Sequence, residues 1–371
     1  MRVVIAPDKF KGSLDAGAVA RALAAGVCDV APEAECVLIP MADGGDGTVE
    51  AFLAAGARAV TVRVRGPLAK AVAATYARDG DVAVVEMAAA SGLAVGGRPR
   101  EPRRASTYGT GELLRNALDG GARRIVLGIG GSATTDGGAG ALAALGARYY
   151  DGSGRELTPD PAGLEHVARV DLSSLDARLA NTDLAIACDV DNPLLGAAGA
   201  SAVYGPQKGA SPADVAFLER VLERLATAMS AAAGRDLRAE PGAGAAGGLG
   251  WALASACGAR LERGVALVAE VRGLAQALDG TALVLTGEGR IDAQTLRGKV
   301  VDGVAALARP RDIPVIAFGG SVDADAEREL RARGVVCVPI VTAPGTLAQA
   351  VRDAALLLRR AAARAIALAG S

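Results

Sequence analysis

Residues 124–146 read RIVLGIGGSATTDGGAGALAALG, and this stretch decides the fold of the chain. Residues 125–129 are apolar and mostly β-branched, which predicts a strand buried on both faces. Residues 139–145 are small and aliphatic and predict a helix. The intervening GGSATTDGG turn has unpaired N–H groups at a helix start, and its glycines allow close approach, so it suits an anion such as phosphate. A purely structural turn is the alternative interpretation.

Two known phosphate-binding motifs can be compared with this turn. A Walker loop requires a lysine before the Ser or Thr, and this turn has none. The dinucleotide motif fits better, because Gly128, Gly130 and Ala133 match its spacing and Asp151 follows at the distance of a ribose-binding acid. That match leaves an NAD(P)-dependent oxidoreductase open as one alternative, although it does not account for the polar residues of the turn.

The polar residues of the turn suggest a different use. Hydroxyl groups can donate to phosphate oxygens, and a carboxylate can hold a cation against them. We therefore expect phosphate contacts from a set of small and hydroxyl residues: Gly130, Gly131, Ser132, Thr134 and Thr135. Asp136 is the expected cation ligand of this turn.

Composition limits the class of protein. The chain has 371 residues, of which 51% are hydrophobic, 3% are aromatic and 49 are glycine, as expected for a two-domain α/β enzyme. The net charge of −1 gives no electrostatic footprint for nucleic acid or a membrane surface. MRVVIAP at the N-terminus predicts a strand rather than a signal peptide, and no apolar run is long enough to span a bilayer. The expected location is the cytoplasm.

Cysteine and histidine usage narrows the chemistry further. The five cysteines are scattered, without a C-x-x-C pair, which predicts buried free thiols in a reducing compartment. The single histidine, His166, lies in a polar segment, which excludes a histidine-rich zinc site. Any general base is therefore expected to be a carboxylate.

Charged side chains recur in the turns that follow predicted strands, where α/β sheets place their ligands. The first such turn, PDKFKGSL (7–14), contains Ser13, which we predict to cap a helix reaching about residue 27. Asp189 and Asp191 alternate on an extended run and are expected to face one side. The charged residues of these turns are Asp8, Lys11, Asp43, Asp46, Asp136, Asp189, Asp191, Lys208, Glu288, Arg290, Asp292 and Lys299.

A second glycine-rich turn, PGAGAAGGLG (241–250), enters another predicted helix. Its glycines indicate a close backbone approach, either to a nucleotide or to a neighbouring helix, and the sequence leaves both open. From residue 61 the pattern changes to short alternating strands, which predicts an antiparallel meander and a domain boundary near Val64. We expect residues 1–64 and 277–371 to form one discontinuous α/β domain and residues 65–276 an inserted mixed α/β domain.

Paired acids, lysines and glycine turns are the parts that phosphoryl transfer requires, whereas hydride transfer needs neither the acids nor the lysines. Seven blocks in order extend this pattern: APDKFKGSL (6–14), ADGGDGT (42–48), GIGGSATTDGG (128–138), ACDVDNPLLG (187–196), GPQKGA (205–210), PGAGAAGGLG (241–250) and TGEGRIDAQTLRGK (286–299). In these blocks the chain resembles the glycerate kinase type 1 family from end to end.

The resemblance implies ATP-dependent phosphorylation of D-glycerate with Mg²⁺, on a two-domain α/β fold without a Walker loop. The domain formed by both chain ends is expected to carry a mainly parallel, Rossmann- or flavodoxin-like sheet, with the active site in the cleft between the domains. Family members differ in the hydroxyl that they phosphorylate, and 2-phosphoglycerate is favoured here over 3-phosphoglycerate. A catalytically silent metabolite sensor is a second alternative, and a homodimer is a further expectation.

The residues are assigned to roles as follows. Catalysis is expected from Asp189, Asp191 and Lys11. Substrate binding is expected from Asp8, Lys11, Ser13, Asp43, Asp46, Glu288 and Arg290. Nucleotide binding is expected from Gly130, Gly131, Ser132, Thr134, Thr135, Lys208, Gly244, Gly247 and Lys299. Metal binding is expected from Asp136, Asp189, Asp191 and Asp292.

Overall fold

The computed structural model describes residues 1–369, in which the chain forms two compact units. Unit 1 contains residues 1–43, 50–57 and the chain from residue 263 onward. Unit 2 contains residues 44–49 and 58–262. Both ends of the chain therefore contribute to one unit. The boundaries predicted from sequence, near residues 64 and 277, fall within a strand of unit 2 and at the end of a helix of unit 1.

The strands of the described chain are given in sequence order. They are β1 (Arg2–Ile5), β2 (Glu35–Leu38), β3 (Arg58–Arg65), β4 (Ala71–Asp79), β5 (Val82–Glu86), β6 (Arg124–Gly128), β7 (Arg148–Asp151), β8 (Val167–Asp171), β9 (Asp183–Ala187), β10 (Arg260–Glu262), β11 (Leu283–Ile291), β12 (Val315–Val322) and β13 (Val335–Pro339).

The α-helices follow the same order. They are α1 (Ala16–Val30), α2 (Thr48–Ala54), α3 (Ala88–Ser91), α4 (Tyr108–Asp119), α5 (Ala139–Ala144), α6 (Ala200–Tyr204), α7 (Pro212–Ala233), α8 (Leu249–Cys257), α9 (Gly264–Val271), α10 (Leu274–Ala277), α11 (Val300–Ala308), α12 (Ala324–Ala332), α13 (Leu347–Arg352) and α14 (Ala354–Ala369). Short 3₁₀ turns include Pro206–Lys208 and Thr295–Arg297.

Unit 1 contains a parallel sheet in the order β13-β12-β11-β1-β2. Its central strand pairing joins the two ends of the chain, since Val3 lies opposite Leu283. The mainly parallel α/β domain formed by both chain ends is confirmed. Strand β11 extends into the TGEGRIDAQTLRGK block, because it pairs with β12 as far as Ile291. Glu288 and Arg290 therefore lie in the strand itself rather than in the turn after it.

Helix α1 does not begin where the sequence predicted. Asp15, not Ser13, is its N-cap, and the Asp15 carboxylate accepts the Ala18 N–H at 2.7 Å. Ser13 instead donates its hydroxyl to the Val351 carbonyl at 3.0 Å. Either side chain can cap a helix, and the difference arises because residues 10–14 close into a bridge between Phe10 and Leu14 before the helix starts.

Unit 2 contains a mixed sheet in the order β10-β9-β6-β5-β4-β3. Strands β3, β4 and β5 form the predicted antiparallel meander, while β5, β6, β9 and β10 are parallel. A separate antiparallel pair, β7 and β8, follows α5. The inserted mixed α/β domain is therefore also confirmed. Its core is aliphatic and contains the single tryptophan, Trp251, almost fully buried.

Close helix packing in unit 2 depends on glycine at one position. A Cβ placed on Gly111 of α4 would lie 2.3 Å from the carbonyl oxygen of Ala141 in α5. Gly250 of α8 differs, because its nearest neighbour would lie 3.5 Å away, an ordinary contact. The two glycines are both helical and both buried, and they differ mainly in this free space.

We predict that Gly111→Ala destabilises the protein by about 1–3 kcal/mol, because backbone must shift to admit a methyl group. Gly250→Ala is the matched control. It should be neutral or should stabilise by up to about 1 kcal/mol, because alanine is the better helix former. Urea unfolding followed by circular dichroism measures both variants. Equal effects of the two substitutions would contradict this account of the packing.

Candidate active site

Three carboxylates of unit 1 gather at the carboxyl ends of its parallel strands. Asp8 follows β1, Asp43 follows β2 and Glu288 lies towards the end of β11. The backbone N–H of Asp8 donates to the Gly287 carbonyl at 2.8 Å, which joins the loop after β1 to β11 next to Glu288. The sheet therefore brings together three acids that are far apart in sequence, at the edge where α/β sheets place ligands.

Glu288 is held by the turn that follows β11. Its side chain is 6% exposed, and its Oε1 accepts a hydrogen bond from the Thr295 hydroxyl. Thr295 in turn accepts the Asp292 N–H at 3.0 Å, and Asp292 accepts the Gln294 N–H at 2.8 Å. This chain of hydrogen bonds fixes the Glu288 carboxyl group in position.

Burial raises the pKa of two of these acids to values near neutrality. It raises the pKa of Asp8 to about 7, with additional repulsion from Asp43 and Glu288. It also raises the pKa of Glu288 to about 7, against the opposing effects of the Thr295 hydrogen bond and Lys299. Near pH 7 each of these carboxyl groups can therefore accept or release a proton.

Lys299 supplies the positive charge of this cluster. Its Nζ lies 3.3 Å from Oδ2 of Asp43. Burial acts to lower the pKa of Lys299, but attraction to Asp43 and Glu288 outweighs it, and the pKa is raised. Lys299 therefore stays protonated beside Asp8 and Glu288, so the group of four side chains that we call the acid cluster (Asp8, Asp43, Glu288 and Lys299) combines proton acceptors with a fixed cation.

Other predicted residues of unit 1 lie around this cluster in different settings. Lys11 is exposed, and a Cβ on Gly289 would lie 3.2 Å from its backbone nitrogen, so the Lys11 loop runs against β11. Arg290 is largely exposed and forms an ion pair with Asp292 at 3.1 Å. The Ser13 hydroxyl is engaged by Val351, which does not favour its predicted substrate contact.

In unit 2, Asp136 is fully buried in the glycine turn. Its carboxylate accepts the Thr107 N–H at 2.7 Å and the Thr107 hydroxyl at 2.8 Å. It also accepts the N–H groups of Gly138 and Gly140, both at 3.2 Å. Burial raises the pKa of Asp136, and these hydrogen bonds oppose the rise. Its predicted role as a metal ligand stays a prediction, and its four donors favour a structural role.

Hydroxyl groups of the same turn lack partners. The Oγ1 atoms of Thr134 and Thr135 are buried and have no hydrogen-bond partner within the described residues. Gly130 and Gly131 are exposed, whereas Ser132 pairs with Gly92 in a β-bridge. Both threonines are almost completely buried, so their hydroxyls do not by themselves indicate a ligand, and the expected phosphate contacts of this turn stay predictions.

The second glycine turn has a different explanation. A Cβ on Gly247 would lie 2.2 Å from the Thr134 carbonyl oxygen, and a Cβ on Gly244 would lie 2.2 Å from that of Pro193. The Gly137 N–H also donates to the Gly247 carbonyl at 2.9 Å. Both glycines therefore approach protein backbone, Gly247 at the first glycine turn and Gly244 at Pro193, and neither contact is with the neighbouring helix that the sequence left open. The predicted nucleotide contacts of Gly244 and Gly247 gain no support from this packing.

The remaining predicted acids belong to unit 2 and are exposed. Asp46 precedes α2, and Asp189 and Asp191 lie in the loop after β9, which ends at Ala187. The two aspartates are therefore not on the strand that was expected to present them to one side. Within residues 1–369, no group of three or more His, Cys, Asp or Glu side chains is arranged to hold a metal ion.

Known proteins match this chain over nearly its whole length. The profile of the glycerate kinase family covers residues 3–370. The chain belongs to the glycerate kinase family. A glycerate kinase from Bacillus subtilis is 44% identical over 88% of this chain and 86% of its own. A glycerate 2-kinase from Escherichia coli is 44% identical over 95% of this chain and 94% of its own. The crystal structure of a glycerate kinase 2 assigned in Salmonella typhimurium superposes with a TM-score of 0.92, at 44% identity, covering 100% of this chain and 98% of that one.

Membership of the glycerate kinase family identifies the chain as a kinase, and the comparisons support neither the oxidoreductase nor the silent sensor. The structure explains why the dinucleotide spacing was misleading. A Cβ on Gly128 would lie 2.5 Å from the Gly44 carbonyl oxygen, so the glycine is required by packing. Asp151 lies on β7 of the separate antiparallel pair, where it binds the N–H groups of Ser153 and Arg155, and not on a strand beside β6.

The settings of the single histidine and of the five cysteines can also be compared with the sequence analysis. His166 is exposed, and its Nδ1 lies 3.3 Å from Nη1 of Arg224. None of the five cysteines forms a disulfide, but the prediction that they are buried holds only for Cys188, because Cys36, Cys257 and Cys337 are partly exposed and Cys28 is exposed. No helix among residues 1–369 has the length and apolar character needed to cross a membrane.

Sequence reasoning missed two residues that organise the site. Thr295 lies within the TGEGRIDAQTLRGK block but received no role. The available signal was a hydroxyl only seven residues after Glu288 in sequence. Thr107 binds Asp136 from 29 positions away, and nothing local in the sequence indicates that contact.

We predict that Asp8→Asn and Glu288→Gln stabilise the metal-free protein at high pH. Well below pH 4 the Asp8 and Glu288 carboxyl groups are protonated in both the folded and the unfolded wild-type chain, so they cost the folded state no stability. Between about pH 4 and 7 these carboxyl groups are ionised in the unfolded state but still largely protonated in the folded state, so the free energy of unfolding of wild type falls. Above pH 7 they are ionised in both states, and the loss of stability is complete. Relative to wild type, each amide variant should gain on the order of 1–3 kcal/mol between pH 5 and 8.5. Denaturant unfolding in EDTA measures this.

Asp29 is the control, because its pKa is shifted in the opposite direction from those of Asp8 and Glu288. Asp29 on α1 pairs with Arg359 of α14, and this hydrogen bond lowers the pKa of Asp29. Its contribution to stability is present above the unfolded pKa and is lost as the pH falls, so Asp29→Asn should not gain stability at pH 8.5. If Asp8→Asn and Glu288→Gln behave like Asp29→Asn, the acid cluster is not destabilised by its charges.

Proposed function

We propose that this protein transfers the terminal phosphoryl group of ATP to a hydroxyl of D-glycerate, giving ADP and 2-phosphoglycerate. Two observations support the proposal together: the chain belongs to the glycerate kinase family, and the acid cluster offers carboxylates with pKa values of about 7 beside a lysine. The name of the relative from E. coli, a glycerate 2-kinase, favours the 2-hydroxyl.

In the proposed reaction, the Asp8–Glu288 pair accepts the hydroxyl proton. A general base works best when its pKa lies near the working pH, and burial gives the pair that property. Glu288 is nearly buried and fixed by Thr295, whereas Asp8 is more exposed, so Asp8 is the member better placed to meet substrate. Thr295 acts as a positioning residue through Glu288.

The bonds change in a balanced way. The glycerate hydroxyl oxygen forms a bond to the γ-phosphorus, and the bond between that phosphorus and the β,γ-bridging oxygen breaks. The hydroxyl proton passes to the carboxylate pair, and ADP leaves with the bridging oxygen. Lys299 stays charged, so it can stabilise negative charge that develops near Asp43.

The other assignments stay predictions in this scheme. The first glycine turn is proposed for the ATP phosphates, supported by the exposure of Gly130 and Gly131, whereas the Thr134 and Thr135 side chains are buried. The exposed Lys11 is proposed to hold the glycerate carboxylate. Catalytic roles for Asp189 and Asp191 and substrate binding by Asp46 rest on the sequence pattern alone. The cytoplasmic location and the homodimer also stay predictions.

Magnesium fits the chemistry of the available donors. Mg²⁺ prefers carboxylate oxygens and usually takes only one or two of them, together with substrate phosphates and water. Asp189 and Asp191 are exposed carboxylates that would hold it, and Asp292 is a further candidate. When bound, Mg²⁺ would neutralise phosphate charge.

We expect wild-type protein to form ADP from ATP only when D-glycerate and Mg²⁺ are both present. A coupled assay for ADP measures turnover, and phosphorus NMR of the product distinguishes 2-phosphoglycerate from 3-phosphoglycerate. L-glycerate and glycerol are the matched substrates without the correct configuration or carboxylate. Equal turnover with glycerol would contradict glycerate as the substrate, and a 3-phosphoglycerate signal would contradict the proposed regiochemistry.

Asp8→Asn and Glu288→Gln should each lower kcat by about 10²- to 10⁴-fold, the usual contribution of a general base. In wild type, kcat/KM should rise with pH through about 7, because the pair must be ionised to accept a proton. Thr295→Val should reduce kcat less and shift that pH profile, since it removes a hydrogen bond that lowers the pKa of Glu288. Unchanged kcat in both amide variants would refute this base.

A further inference from the structure

Unit 2 contains a narrow pocket next to the first glycine turn. It is lined by residues 67–68, by the segment 93–105, by Ala133 and by Lys208, and its enclosed space has room for about one water molecule or one oxygen atom of a ligand. The segment is tied to the glycine turn, because the Leu93 N–H donates to the Gly131 carbonyl at 3.0 Å and the Ala133 N–H donates to the Ser91 carbonyl at 2.9 Å. The pocket is therefore built on fixed backbone within this unit.

Lys208 is a buried amine with incomplete hydrogen bonding. The residue is 2% exposed, and its Nζ donates to the Thr134 carbonyl oxygen at 2.6 Å. This carbonyl is the one partner of the Nζ within the described residues. A charged lysine has three donors, so two N–H groups are left without a partner. Buried polar groups in proteins are almost always paired, so this arrangement indicates a partner supplied from the pocket.

A second cationic side chain lies at the edge of the same pocket. Arg100 is exposed, and its guanidinium donates to the Gln207 carbonyl, which holds it beside the turn that carries Lys208. Its side chain also packs on Gly209, where a Cβ would come within 2.8 Å of the Arg100 Cβ. The acid of the pocket wall, Glu101, is paired with Arg104 at 3.1 Å. The unpaired donors that face the pocket are thus positive.

A purely structural lysine does not explain this position. Burying an ammonium group with one carbonyl partner is costly, and methionine would fill the same space without that cost. The Thr134 carbonyl fixes the direction of the Nζ and leaves its other donors available for an acceptor.

We propose that Lys208 and Arg100 form an anion subsite in unit 2, in which one oxygen atom of a carboxylate or phosphate group of a small substrate enters the pocket and accepts hydrogen bonds from the unpaired donors of the Lys208 Nζ. The oxygen atoms of such a group are the acceptors that this pocket lacks, and Thr134 holds the amine towards them. Which substrate carries the anion rests on the proposed function, since glycerate offers a carboxylate and ATP offers phosphates. The existence of the subsite does not depend on turnover.

The electrostatics of the pocket give the subsite a pH dependence. Burial lowers the pKa of Lys208 to about 7, although the nearby negative charge of Asp136 opposes the shift. The other charged groups that face it are Arg100 and the paired Glu101. Because an anion binds the protonated amine, affinity should be greatest below pH 7 and should fall as the pH rises above it.

Calorimetric titration in EDTA tests the subsite with three separate probes: inorganic phosphate, D-glycerate and ADP. At pH 6.5, at least one probe should bind wild type, and Lys208→Met should weaken it by about ten- to a hundredfold, the usual effect of losing a charged hydrogen-bond partner. Arg100→Met should weaken it less. Lys70→Met, which removes an exposed lysine of the same unit, is the control and should leave the affinity unchanged.

The probes identify the source of the anion. Loss of glycerate binding alone assigns the carboxylate, and loss of ADP binding alone assigns the nucleotide. If Lys208→Met does not fold, wild type and Arg100→Met are compared instead. The subsite is supported if the affinity of wild type for the probe falls from pH 6.5 to 8.5 and if Arg100→Met weakens that affinity. Unchanged binding in a folded Lys208→Met variant, no binding of any probe to wild type, or pH-independent binding unaffected by Arg100→Met would overturn it.

A failure of the proposed function would look different. Absence of ADP formation with glycerate, while phosphate or ADP still binds wild type and not Lys208→Met, would refute the kinase reaction and leave the subsite intact. Normal turnover by a Lys208→Met variant that binds all three probes with wild-type affinity would refute the subsite and leave the kinase reaction intact.

Discussion

The hydrogen bonds to the buried Asp136 carboxylate organise unit 2. Four donors from three residues converge on this one side chain, and they join the start of α4 to the turn that opens α5. Without these hydrogen bonds, burying the carboxylate would cost too much free energy, and nothing would fix the backbone conformation, or course, of the glycine turn. The positions of the Thr134 carbonyl, and therefore of Lys208, follow from that course. The residue that seemed from sequence to be a metal ligand is better understood as the anchor of the turn.

Much of the fold could be predicted because its signals are local. The apolar run of β6, the small residues of α5 and the alternation in β3 and β4 each determine an element from a few neighbours. The acid cluster was partly predictable for the same reason, since parallel strands end at one edge of a sheet. Each strand end could be read from its own sequence, even though Asp8 and Glu288 are 280 positions apart.

The errors arose where a tertiary contact decides between equivalent local choices. Ser13 and Asp15 are both good N-caps, and the bridge between Phe10 and Leu14 selects the second. Gly247 has the appearance of a nucleotide-binding glycine, but its space is taken by the backbone of Thr134. Thr107 carries no local sign of its bond to Asp136. The Phe10–Leu14 bridge is local, whereas the partners of Gly247 and Thr107 are distant in sequence, so no window of residues around either could have revealed them.

The pairing of β1 with β11 has a consequence for the order in which the chain matures during synthesis. Val3 leaves the ribosome long before its partner Leu283, which is made only after the whole of unit 2. Unit 2 carries its own sheet and core and can therefore become structured while the last third of the chain is still being translated. Strand β1 must wait, with one backbone edge unpaired and its apolar side chains uncovered, until β11 emerges. The N-terminal segment of a stalled or truncated chain is consequently the part that chaperones would need to shield.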